Sequence, residues 1–190
     1  MKAPNRERQK EERVEKPEIV SVVCLGSTKS GKTSLLDRYL HGKFSPFYLP
    51  SYGMDIETAS YFQKGTKERL DVLFYGINSL FFDSLMKHDY LPNWKGTALV
   101  IDSTEPGSLT VARESVSRIR EIKCDVQIIA VMTKNDRENK IPGQALEKFR
   151  RECGIPYFYR VSANTGENVR EAFAKMIELV SGKKRMIKEN

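Results

Sequence analysis

Short β-branched apolar runs alternate along this chain with segments whose apolar residues recur at helical spacing. Residues 19–25 (Ile-Val-Ser-Val-Val-Cys-Leu) predict a buried strand. Leu35, Leu36, Tyr39 and Leu40 then follow one helical face. Residues 55–62 and 69–75 predict two strands joined by a turn at Lys64-Gly65, a hairpin. Residues 97–101 predict another buried strand, and Leu109, Ala112, Val116 and Ile119 a helix after it. A strand at 126–132, a helix at 143–153 carrying Leu146 and Phe149 inward, and a last strand at 157–161 continue the pattern. Val169, Ala172, Phe173, Met176, Ile177 and Val180 make a strongly amphipathic final helix. The alternation predicts an α/β fold: a mostly parallel six-stranded sheet with one antiparallel hairpin and helices on both faces. Ligands of such sheets bind at the carboxyl ends of the strands.

Composition sets the limits around that core. At 190 residues the chain fits one domain with short tails. Residues 1–17 mix charges of both signs and end in Pro17, which predicts a flexible or helical arm. Residues 18–181 carry the core, and 182–190 a basic tail. No apolar run is long enough to span a bilayer, and the charged start lacks a signal-peptide core. Cys24, Cys124 and Cys153 are isolated, which fits a reducing, cytoplasmic setting and small buried hydrophobes better than disulfides. His41 and His88 stand alone, so no metal-ligand cluster is expected. The net charge of +7 favours anionic partners, but basic and acidic residues are interspersed and no aromatic platform accompanies them, so nucleic acid is not an expected partner.

The chemistry begins where the first strand ends. Gly26, Ser27, Thr28, Lys29, Ser30, Gly31, Lys32 and Thr33 form an unbroken G-x-x-x-x-G-K-[ST] phosphate-binding loop, with Ser34 opening the helix behind it. Its glycines let backbone N–H groups turn inward around phosphate oxygens. Lys32 is expected to reach the β- and γ-phosphates, and the Thr33 hydroxyl to hold Mg²⁺. The helix N-terminus adds exposed amides and a favourable dipole. After the strand at 126–132 come Thr133, Lys134, Asn135 and Asp136. The Asp136 carboxylate suits two donors, the ring N–H and exocyclic amine of guanine; adenine offers the wrong pattern. The Lys134 stem suits the plane of a base. Ser162, Ala163 and Asn164 follow the last strand, where the Ala163 N–H suits the guanine carbonyl. Each later motif alone equally suits a polar loop; their order after a phosphate loop gives them weight.

With GSTKSGKT, TKND and SANTGENV in place, the chain resembles the Ras superfamily of small GTPases and looks closest to the Rab branch, over residues 18 to about 180. The resemblance implies GTP or GDP with Mg²⁺ as ligands, and exchange factors and effectors as protein partners. The usual second motif is N/T-K-x-D, which Thr133 satisfies; the usual third is S-A-K, where Asn164 replaces a lysine. The resemblance puts Phe44 against the guanine ring and Ser51, in Ser51-Tyr52-Gly53-Met54-Asp55, at the position of a Mg²⁺-binding threonine. Core packing and a turn serine are the plainer roles for these two.

The second switch departs from the family. Small GTPases end the third strand in D-x-x-G-Q. Aligned on residues 70–73, the aspartate becomes Phe74, the glycine Ile77 and the glutamine Asn78. A one-residue slide recovers Gly76 as the glycine but sets Leu73 at the aspartate. Neither register supplies the carboxylate. Asn78 is the remaining candidate for orienting water and is one methylene short, while Thr28 stands where a bulky side chain obstructs hydrolysis in the family. Slow hydrolysis with weak Mg²⁺ dependence is therefore expected. The apolar residues Phe74, Tyr75, Leu80, Phe81 and Phe82 also fit a segment fixed by packing or by a partner. Lys2 after Met1 and the absence of a cysteine near 183–190 imply membrane association only through a partner. A monomer is expected. Three readings stay open: a cycling GTP switch, a degenerate scaffold binding a partner through its switch face, and a phosphoryl-transfer kinase. The kinase needs an arginine lid, for which Arg137, Arg150 and Arg151 are too scattered.

Overall fold

The computed structural model describes residues 17–47, 54–66, 68–86 and 90–189. The expected arm at 1–17 therefore lies almost wholly outside the described residues, as do Ser51 and His88. The elements run β1 (Glu18–Gly26), α1 (Lys32–His41), β2 (Met54–Gln63), β3 (Arg69–Asn78), a 3-10 turn (Ser79–Phe81), α2 (Phe82–Met86), β4 (Trp94–Asp102), α3 (Gly107–Ile122), β5 (Gln127–Thr133), α4 (Gly143–Cys153), β6 (Tyr157–Arg160), α5 (Val169–Ser181) and β7 (Met186–Lys188). The sheet order is β6-β5-β4-β1-β3-β2-β7. β1 pairs in parallel with both β3 and β4, and β5 and β6 extend the parallel half. β2 and β3 form the expected antiparallel hairpin.

One strand exceeds the six expected. Met186–Lys188 pairs antiparallel with residues 61–63 at the open edge of β2. Lys188 Nζ donates to the Leu40 carbonyl at 2.6 Å, and Lys183 pairs with Glu68 at 2.8 Å. Part of the basic tail is thus a short edge strand. Three residues set between Lys183-Lys184-Arg185 and Glu189 carry no apolar alternation from which to read it; edge strands are commonly short and lysine-rich for protection.

Because side chains alternate across a strand, each sheet face builds its own core. On one face α1 and α5 cover Val20, Val22, Cys24, Val72, Phe74, Val100 and Val131. Tyr39 stacks on Phe173 (centroids 4.3 Å apart), and Phe74 meets both edge-on. On the other face α3 and α4 cover Val23, Leu25, Tyr75, Ile77, Leu99, Ile101 and Met132. The approach of α5 to β4 depends on Gly96: a Cβ there would sit 2.5 Å from Met176 Sδ and 2.6 Å from Val180 Cγ1. Among the described residues no helix is long and apolar enough to cross a membrane. The fold leaves one end of the parallel strands open, where β1, β3, β4, β5 and β6 deliver their following loops.

Candidate functional site

At that end the loop after β1 turns into α1 through Gly31, whose φ of 92° lies in the left-handed region that glycine occupies without strain. The first helical bond, Leu35 N–H to the Gly31 carbonyl, is 2.9 Å. Lys32 folds back over the loop, and its Nζ donates to the carbonyls of Gly26 (3.1 Å) and Ser27 (2.7 Å). Burial pushes the Lys32 ammonium down to about 8, while the negative charge of nearby Asp55 opposes the shift. An arriving phosphate would favour the protonated form further. Beneath the loop, Ser30 is fully buried, and its carbonyl accepts a 2.7 Å bond from Thr133 Oγ1.

A cavity of about 390 Å³ extends from this loop across the strand ends. Thr28, Lys29, Gly31, Lys32, Thr33 and Ser34 line one end, and Phe44, Thr133, Lys134, Asp136, Ala163 and Asn164 the other. Three motifs separated by up to about 130 residues thus share one pocket. Gly26, Ser27 and Ser30 shape the loop rather than the cavity wall. Ser162 stands behind the wall, where its hydroxyl donates to Asp136 Oδ1 at 2.6 Å. Asn164 Nδ2 donates to Asp136 Oδ2 at 3.2 Å. The Ser162 bond, with help from Asn164, holds the Asp136 carboxyl below the usual carboxylate range, so it is ionised and acceptor-only at neutral pH. Asn164 thus helps to orient the Asp136 carboxylate.

Two supports at this end had no signal in the motifs. Arg38 on α1 donates through Nε to the Ala163 carbonyl and through Nη2 to that of Asn164, both at 2.6 Å. Asp102, at the end of β4, accepts from Lys134 Nζ at 2.5 Å. Burial pushes the Asp102 carboxyl up, but hydrogen bonds from Lys134 and Thr104 outweigh it and hold it below the ordinary range. The signal for Asp102 was its place as the first charged residue after a buried strand; Arg38 looks like any exposed helical arginine.

The third wall departs from expectation. β3 does not stop at Tyr75 but continues to Asn78. Phe74, set at the family's aspartate position, is fully buried against α1 and α5, and Ile77 is fully buried on the opposite face. The β3 residues that reach the cavity are Gly76 and Asn78. Asn78 is engaged at both ends: Nδ2 donates to Thr28 Oγ1 at 2.7 Å, and Oδ1 accepts from Leu80 N–H at 3.1 Å. The apolar segment that follows divides. Phe82 is buried edge-on to Trp94, whereas Leu80 and Phe81 are 79% and 52% exposed. Asp83 pairs with Arg118 on α3. Facing Gly76 across the hairpin is Asp55, whose Oδ2 accepts from Thr33 Oγ1 at 2.8 Å. His41, solitary in sequence, lies 3.4 Å from Glu57 and near Asp37 on the outer surface.

Comparison with known proteins agrees with this architecture. The Ras family model matches residues 21–182. Ras-related protein SEC4 of Saccharomyces cerevisiae is 27% identical over 177 residues, covering 87% of this chain and 76% of that protein. Ras-related protein Rab-15 of Bos taurus is 27% identical over 165 residues (85% and 76%), and Rab-3D of Mus musculus 22% over 175 residues (87% and 75%). The chain belongs to the Ras family and lies near its Rab branch, with the P-loop GTPase fold of GTP-binding regulatory proteins. Members of this family generally bind GTP or GDP with Mg²⁺, and effectors and exchange factors.

Proposed function

We propose that this protein binds guanine nucleotide in the 390 Å³ cavity and hydrolyses GTP slowly. The observation that carries the reading is the pairing of an intact phosphate loop with an Asn78 side chain that is already spent. Lys32 and the amides of residues 27–33 hold phosphate oxygens, Asp136 accepts from the guanine edge, and the Ala163 N–H meets its carbonyl. Phe44 covers the base. For metal, the donor set fits a hard cation: the Thr33 hydroxyl and the Asp55 carboxylate are two oxygens 2.8 Å apart in the cavity wall. Mg²⁺ there would neutralise charge on the β- and γ-phosphates.

Hydrolysis needs water oriented at the γ-phosphorus, with bond cleavage to the bridging oxygen. Asn78 donates to Thr28 and accepts from Leu80, so its amide is turned away from that task. The test is single-turnover hydrolysis by purified, GTP-loaded protein, with the co-purifying nucleotide identified by chromatography. GTP retained over hours is the expected result. Turnover at the rate of ordinary small GTPases that vanishes in Lys32→Ala overturns it.

One observation favours a second reading, a scaffold that engages a partner through its switch face. The Asn78 latch, buried Phe82 and the Asp83–Arg118 pair hold the segment that presents Leu80 and Phe81 to solvent. A partner surface of that kind needs no γ-phosphate to form. Equal proteolysis of this segment with GDP and with a GTP analogue supports the scaffold; a strong difference rejects it.

A further inference from the structure

We infer that Asp55 on β2 supplies the metal-side carboxylate that β3 lacks, and that Gly76 is the residue that admits it. The inference rests on the nucleotide reading above and adds to it the origin of the acid. Asp55 and Gly76 are directly opposed in the hairpin, and opposed residues of an antiparallel pair project from the same face. A Cβ on Gly76 would already stand 3.4 Å from both the Cβ and Oδ2 of Asp55, so any longer side chain would enter the space the carboxylate occupies. Gly76 also pairs with Cys24 on β1, two residues before the phosphate loop begins at Gly26. The carboxylate is thus delivered to Thr33 Oγ1 at 2.8 Å, on the hydroxyl side of Lys32.

Three features agree on an acid for a cation rather than a stray surface aspartate. Asp55 lines the same cavity as Thr33 and Lys32. It is half-buried. Among the described residues, the other carboxylates lining the cavity are Asp37 on α1, one turn beyond Thr33, and Asp136 at the opposite end. The acid comes from β2, one strand outward of β3, and Gly76 on β3 leaves the room for it.

The experiment measures release of a fluorescent GDP analogue across free Mg²⁺ from EDTA excess to 10 mM (about the range that fills hard-oxygen sites). In the unmodified protein Mg²⁺ is expected to slow release with a defined midpoint. Asp55→Asn keeps the shape and an oxygen for Thr33 but removes the charge, and is expected to raise that midpoint about tenfold or more. A second variant, Asp55→Ala with Gly76→Asp, clears the space on β2 and puts the acid on β3, and is expected to respond to Mg²⁺ at a lower midpoint than Asp55→Asn. An Asp55→Asn midpoint equal to that of the unmodified protein overturns the inference and leaves nucleotide binding standing. Unmodified protein that binds nucleotide without any response to Mg²⁺ does the same. Failure to bind the analogue at all, in protein with an intact melting transition, removes the nucleotide reading itself. The melting transition serves as the folding control for both variants.

Discussion

The two ends of the cavity are built on different logic. At the end proposed to take the base, the polar groups come from contiguous motifs that each follow a strand, and a polar network fixes them, with Phe44 after α1 added beside them. Ser162 and Asn164 hold Asp136, Arg38 holds the Ala163 loop, and Asp102 holds Lys134. At the γ-phosphate end, the groups depend on which residues of two paired strands fall opposite one another. Asp55 reaches Thr33 because Gly76 faces it, and Asn78 reaches Thr28 because β3 runs on past Tyr75. Motif-built chemistry is robust to small shifts in pairing. Register-built chemistry is not, since a slip of one residue sends every side chain to the other face.

The most direct way to break this comparison is to remove the base-end acid. Asp136→Ala deletes the ionised acceptor proposed for two guanine donors. Hydrogen bonds to a charged group are worth ~1.5–3 kcal/mol each, so affinity for GDP should fall roughly 10²–10⁴-fold and the preference over ADP should disappear. Titration calorimetry with both nucleotides measures this. A loss of less than tenfold would mean that the base end does not read guanine through Asp136.

A second test uses proton linkage at the phosphate loop. Lys32 has a folded pKa lowered from 10.5 to about 8, so free protein loses that proton as the pH rises through that value. Phosphate binding favours the charged form, so binding takes up a proton in that range. Affinity should be flat below pH 7 and fall as pH rises, by about tenfold at pH 9. The sign for folding is opposite. Between pH 8 and 10.5 the unfolded chain holds more protons at this site than the folded one, so nucleotide-free protein gains stability there from Lys32. Calorimetry in buffers of different ionisation enthalpy reads the proton directly. Lys32→Arg should abolish the pH dependence, because guanidinium does not titrate.

How much of this was legible in the sequence follows the same division. The α/β order, the hairpin and the helix at Gly143–Cys153 follow from apolar periodicity, and the base-end residues from motifs whose spacing encodes a loop after a strand. β7 was hidden because three residues carry no period. The γ-phosphate end was hidden for a different reason. Aligning D-x-x-G-Q onto residues 74–78 treats the acid as a property of β3, and residue order on one strand says nothing about its neighbour. Asp55 stood in the Ser51–Asp55 motif, but its partner Gly76 is set by hairpin pairing. Phe74 reads as a lost aspartate in the alignment; in the fold it is a core residue packed with Tyr39 and Phe173.

The smallest expected effect sharpens the comparison most, because it isolates a register-built contact. Asn78 joins the phosphate loop to the start of the second-switch segment through two side-chain hydrogen bonds in an exposed setting. Net values of ~0.5–1.5 kcal/mol each, with partial replacement by water, put the local cost of Asn78→Ala at about 1 kcal/mol. Global stability should change little, since Phe82 and Trp94 still pack beneath the segment. Amide exchange at residues 79–86 should accelerate about fivefold, whereas exchange around Asp136 and Ser162 stays as it was. Thr28→Ala removes one of the two bonds and should give a smaller acceleration in the same residues. If Asn78→Ala leaves exchange at 79–86 unchanged, packing alone holds the segment, and the latch contributes nothing to the difference between the two ends. If exchange at the base end rises as well, the two ends are one cooperative unit and the division drawn between them fails.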